Sequence, residues 1–165
     1  MSLPHLLIAE DDEALAAILE EYLGGAGGYH ITLVHRGDDA LELLKTRHFD
    51  IILTDIVMPG ADGLSVLAAS SQNPSRTLVL LMTAYSGIED AIHAVEQGAY
   101  DFVSKPFQLP EIRVRLDNAA RYQSLLRKWE YENASNESQG FVPYQASQSP
   151  IYPSTAIKAY GVVKE

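Results

Sequence analysis

The sequence predicts an α/β fold: a doubly wound, five-stranded parallel sheet with helices on both faces. Three observations predict it. Short continuous apolar runs recur along the chain, as strands buried on both sides require. Each run is followed by apolar residues at helical spacing. Gly and Pro clusters mark the switches between the two periods. Such alternation builds βαβ units with right-handed crossovers.

The elements follow in order. Leu6-Leu7-Ile8-Ala9 is the first strand, and Leu15, Ile18, Leu19 and Tyr22 mark the first helix, stopped by Gly24-Gly25 and Gly27-Gly28. Ile31 to Val34 is the second strand. Gly37-Asp38-Asp39 offers a cap for a helix carrying Leu41, Leu43 and Leu44. Ile51 to Thr54 is the third strand. Pro59, Gly60 and Gly63 form a loop before a short helix with Leu64, Leu67 and Ala68. Leu78 to Met82 is the fourth strand. Its helix shows Ile88, Ala91, Ile92 and Val95 on one face and ends at Gly98. Phe102-Val103-Ser104 is the fifth strand. A long last helix from Leu109 to about Tyr131 carries Ile112, Leu116, Ala119, Gln123 and Leu126.

Composition bounds the function. The chain has 165 residues, enough for one domain with an appendage. No apolar run is long enough to span a membrane, and no secretory signal is visible, so a cytoplasmic protein without a membrane partner is expected. Cysteine is absent, which removes disulfides, thiolate catalysis and Cys-based zinc sites. The net charge of −10, from 22 acids against 12 Lys and Arg, argues against direct nucleic-acid binding. Two regions are expected: a domain over 4–132 and a tail or linker over 133–165. The tail is rich in Asn, Ser and Gln, with Pro143, Pro150 and Pro153, yet apolar enough to pack on the domain or on a second copy.

In an open parallel sheet, chemistry sits beyond the carboxyl ends of the strands. Glu10, Asp11 and Asp12 follow the first strand, Asp55 ends the third, Thr83 ends the fourth, and Lys105-Pro106 follows the fifth. Each has an ordinary reading by itself. The three acids precede a helix and can cap it, and the lysine can be a solvated one before a fixed turn. Together they gather four carboxylates, a hydroxyl and an ammonium on one rim. Converging carboxylates repel unless a cation holds them, and hard oxygen donors suit Mg²⁺. A carboxylate there can act as a nucleophile toward phosphorus. Asp55 is the candidate, alone at the end of a central strand with an open Pro/Gly loop after it.

Four stretches carry a family resemblance: Leu6 to Asp12, Asp55 to Gly63, Met82-Thr83-Ala84, and Gly98 to Phe107. The chain from about Pro4 to Tyr122 resembles the receiver domain of bacterial two-component response regulators. The resemblance implies the flavodoxin-like strand order 2-1-3-4-5. It implies Asp55 as phosphoacceptor, and an acidic pair among Glu10, Asp11 and Asp12 holding Mg²⁺ with Asp55 and the backbone carbonyl of Val57. It also implies Lys105 pairing with Asp55 or the phosphoryl group, and Thr83 bonding that group when present. Phe102 matches the switch aromatic, here without a hydroxyl.

The implied function is a phosphorylation-dependent signalling switch. A sensor histidine kinase or phosphotransfer protein donates the phosphoryl group. Thr83 then moves, Phe102 turns, and the face of the fourth helix, fifth strand and fifth helix changes, with a homodimer through that face in view. The chain catalyses its own phosphorylation and dephosphorylation and turns over no external substrate. Val57 and Tyr85 flank the path of hydrolytic water, so slow self-dephosphorylation is expected. The alternative is a phosphorylation-independent pseudo-receiver acting through protein contacts, against which the intact acid–Asp–Thr–Lys set argues. An aspartyl phosphatase of the haloacid-dehalogenase type would show Asp-x-Asp where this chain has Asp55 and Val57. A flavin carrier would show a phosphate loop where this chain has three acids.

Overall fold

The computed structural model describes residues 3–25, 27–72, 76–84 and 88–134. Strands and helices alternate: β1 (His5–Ala9), α1 (Glu13–Leu23), β2 (His30–Val34), α2 (Gly37–Leu44), β3 (Ile51–Asp55), α3 (Gly63–Ser70), β4 (Leu78–Thr83), α4 (Ile88–Glu96), β5 (Asp101–Ser104) and α5 (Leu109–Ala134). The strands form one sheet in the order β2-β1-β3-β4-β5. Every pairing is parallel.

The burial of each strand follows its place in that order. β3 is buried throughout, and β1 and β4 are buried apart from their first residues. These are the near-continuous apolar runs, and layers of helices on both faces explain why no alternation appears in them. The edge strands β2 and β5 are only partly buried. Helices fill one core against Leu7, Ala9, Ile52, Val79 and Leu81 with Ala40, Val66, Leu67, Ala91 and Ala94. Each large aliphatic chain removed from water there contributes roughly 1.5–3 kcal/mol.

Local signals account for the helix starts, with one correction. Asp12 caps α1, its Oδ1 accepting from the N–H groups of Ala14 (3.0 Å) and Leu15 (3.1 Å). Asp62 caps α3 by accepting from Ser65 N–H at 2.8 Å. At α2 the expected acidic cap is not the cap. Arg36 takes that position with no side-chain bond, and Asp38 lies inside the first turn. Its carboxylate is engaged elsewhere: Oδ1 accepts from Ala61 N–H at 3.1 Å, and Oδ2 pairs with Arg36 at 3.2 Å. The loop after β3 is thereby tied to the start of α2. Gly60 permits this, since its φ is +78° and a Cβ there would meet the Asp38 carboxylate at 2.3 Å.

A compact unit runs to Gln123. Within it, α5 is held at the amino ends of the strands by Gln123, which is 3% exposed. Its Nε2 donates to the carbonyls of Asp50 (2.8 Å) and Arg76 (2.6 Å). The second unit begins at Ser124. Of it, residues up to Ala134 are described and helical, and Asn133 Nδ2 donates to the carbonyl of Trp129. The expected tail beyond Ala134 lies outside the described residues, as does Tyr85. Among the described residues no helix is long and apolar enough to cross a membrane.

Candidate functional site

The chain reverses direction along the sheet between β1 and β3, which are neighbours although β2 intervenes in sequence. At such a switch point the loops diverge and leave a crevice beyond the strand ends. β1 and β3 deliver Glu10, Asp11 and Asp55 to that crevice. One oxygen from each lies within 4.8 Å of the others.

Burial differs sharply among these acids. Glu10 is fully buried, Asp55 is 7% exposed, and Asp11 is exposed. Glu10 is held at every polar atom: its N–H donates to Val34, Oε2 accepts from Asp12 N–H at 3.0 Å, and Oε1 accepts from Lys105 Nζ at 2.7 Å. The ring Nδ1 of His35 lies 3.0 Å from its carbonyl oxygen. Asp55 Oδ2 accepts from the same Lys105 Nζ at 2.7 Å, and its Oδ1 accepts from Val57 N–H at 3.3 Å. Gly63 stands where a Cβ would lie 2.3 Å from the Asp55 carbonyl, so α3 can start close behind the end of β3.

Lys105 is therefore the single ammonium between two carboxylates. Its N–H donates to the Thr83 carbonyl at 2.7 Å, joining the ends of β4 and β5, and its peptide bond to Pro106 is cis. Burial raises the pKa of Glu10, against the lowering effect of the Lys105 hydrogen bond; the nearby Asp55 charge adds to the rise. Burial also works to lower that of Lys105, yet its hydrogen bonds to Asp55 and Glu10 outweigh this and raise it. The ammonium is thus fixed in its charged form by the two acids.

The structure does not bring every expected residue to the group. Asp12 Oδ1 is engaged in the α1 cap, and the group of converging carboxylates is Glu10, Asp11 and Asp55. Thr83 is buried one step beyond Met82, the register partner of Asp55. Its hydroxyl donates to the carbonyl of Ala84 at 3.0 Å. Val57 is 76% exposed at the rim. Phe102 pairs with Leu81 across the β4–β5 ladder and packs half-buried on the core. Two contacts escaped the sequence reading. The Lys105–Glu10 bond joins residues 95 apart and has no local signal. His35 had one, since it directly follows β2 and so falls under the same strand-end rule.

Three carboxylate oxygens this close, with one acid open to solvent, form a hard donor set that suits a divalent cation keeping several waters, such as Mg²⁺. The Asp55 carboxylate and the adjacent ammonium suit a phosphoryl group.

Comparison with known proteins gives a consistent picture. The chain is 38% identical over 117 residues to the DNA-binding transcriptional regulator NtrC of Klebsiella pneumoniae, covering 70% of this chain and 25% of that protein. It is 33% identical over 146 residues to the luminescence regulatory protein LuxO of Vibrio campbellii, covering 88% and 32%. It is 36% identical over 117 residues to the transcriptional regulatory protein YkoG of Bacillus subtilis, covering 71% and 51%. It thus spans between a quarter and about half of these relatives. The receiver domain of the Francisella response regulator 1452 superposes with a TM-score of 0.65 at 30% identity, covering 72% of this chain and 98% of that one. Residues 6–117 match the family model of the response regulator receiver domain, and the chain belongs to that family of two-component signalling domains.

Proposed function

We propose that Asp55 accepts a phosphoryl group from a phosphohistidine of a sensor kinase or phosphotransfer protein, and that the modified domain is the switched state. Phosphorylation-dependent switching is the general function of the family to which the chain belongs. The observation that carries the reading to this site is the Lys105 ammonium, 2.7 Å from both Asp55 and Glu10, beside three carboxylates able to hold a metal.

In the transfer, a carboxylate oxygen of Asp55 forms a bond to phosphorus as the bond from phosphorus to the donor imidazole nitrogen breaks. The electron pair returns to that nitrogen. Glu10, Asp11 and Asp55, with the Val57 carbonyl, would hold Mg²⁺, and a bound Mg²⁺ would supply charge neutralisation for the phosphoryl oxygens. Lys105 follows the new charge, Thr83 releases the Ala84 carbonyl to donate to a phosphoryl oxygen, and Phe102 turns into the space vacated. The face of α4, β5 and α5 then changes its packing surface and can pair with a second copy. The protein works in the cytoplasm on itself and turns over no external substrate. The domain responsible covers 4–132, with 133–165 as its tail or linker.

Acetyl phosphate with Mg²⁺ tests this directly. Intact mass should show one added phosphoryl group on the wild type and none on Asp55→Asn. Wild type that stays unlabelled, or label that persists in Asp55→Asn, removes Asp55 from the role.

A further inference from the structure

The amino end of the sheet carries a second constellation that phosphoryl transfer does not use. His5 opens β1, His30 opens β2, and the two are register partners. Partners in a parallel ladder project to the same face. Their rings lie 5.1 Å apart between centroids at an interplanar angle of 30°. Both residues are exposed, and among the described residues neither ring nitrogen set has a hydrogen-bond or ion-pair partner.

The backbones beneath the rings are held. His5 N–H donates to Asp50 Oδ2 at 2.7 Å, Asp50 N–H donates to the His5 carbonyl at 2.9 Å, and His30 N–H donates to the Pro4 carbonyl at 2.9 Å. The spacing of the two backbones is therefore a property of the sheet. Asp50 also places a carboxylate next in the row, with its Oδ1 3.6 Å from the His48 ring.

We propose that His5 and His30 form a two-imidazole site for a borderline divalent transition metal of the Zn²⁺ class. The spacing fits. A metal about 2.0–2.1 Å from one nitrogen of each ring lies roughly 3.2 Å from each ring centre, and a tetrahedral angle then sets the centres about 5.2 Å apart. The observed separation is 5.1 Å, which is the ring spacing such a metal requires. No third His, Cys, Asp or Glu is within chelating range among the described residues, so water completes the shell. Ligand class separates this site from the carboxylate site: imidazole nitrogen favours Zn²⁺, Cu²⁺ or Ni²⁺, and carboxylate with water favours Mg²⁺. The proposal does not depend on the role of Asp55.

Calorimetric titration of the full chain with Zn²⁺, in a large excess of Mg²⁺, tests it. One equivalent should bind. His5→Asn and His30→Asn should each weaken binding by at least about tenfold, the scale on which changes around a metal site act. Asp55→Asn should leave it unchanged. In parallel, the imidazole resonances of His5 and His30 should shift on Zn²⁺ addition, and thermal melting of the variants reports whether they fold. Absence of saturable binding, an affinity indifferent to both His substitutions, or displacement by Mg²⁺ overturns the site.

Discussion

The two ends of one sheet solve opposite problems. At the carboxyl ends of β1 and β3, three acids crowd together, one of them fully buried, and a single ammonium stands between two of them. At the amino ends, Gln123 satisfies two carbonyls, Asp50 secures the start of β1, and two imidazoles face solvent. Strand direction produces the contrast. All strands are parallel, so every loop that can diverge at the switch point lies at one end, and that end tolerates unpaired charge. The other end is where chain entries must be closed by hydrogen bonds. Charge left in competition is available for chemistry, whereas a satisfied polar group serves stability.

If that contrast is right, substitutions at one end should change cation and phosphoryl binding, and those at the other should change stability. The largest effect is expected from Glu10→Gln and Asp11→Asn. Each should weaken Mg²⁺ binding, followed by titration of intrinsic fluorescence or NMR shifts, by at least about tenfold, the least that even outer-shell changes usually cost. Unaltered affinity in both variants breaks the comparison at its chemical end. Gln123→Ala comes next. It removes one hydrogen bond from each of the Asp50 and Arg76 carbonyls, costing about 0.5–1.5 kcal/mol apiece in urea unfolding, with Mg²⁺ affinity unchanged. A variant as stable as wild type breaks the other end.

Asp12→Ala sharpens the boundary between the two behaviours. As the α1 cap it should lose about 0.5–2 kcal/mol and keep its Mg²⁺ affinity. The reverse pattern, full stability with weakened metal binding, returns Asp12 to the metal set. The smallest effect is expected from Val57→Asn. A polar side chain at the exposed rim can orient water near Asp55, so the lifetime of the phosphorylated protein should shorten modestly in a chase experiment. A longer lifetime contradicts slow hydrolysis by an apolar rim.

The strands were legible because parallel pairing buries them on both faces, so their apolar runs stand out from the helical spacing of Leu15, Leu19 and their counterparts. Asp55 stands out in the sequence because a lone acid ends a strand whose only other polar residue is Thr54. Asp12 and Asp38 stand out less. A short acidic residue before or within a first turn can cap, ligate or reach a distant N–H, and which it does depends on what lies beside it in space. Asp12 caps, while Asp38 reaches Ala61. The Lys105–Glu10 pair likewise depends on β1 and β5 closing toward one crevice.

Hydrophobic periodicity and the residues at strand ends thus determined the element order and named the acids and the lysine, because both are local properties of the chain. Only the folded sheet decided which acid is buried, which carboxylates share the ammonium, and that His5 and His30 meet. Those outcomes depend on strand order and register, and these arise when distant segments pair and exclude water between them.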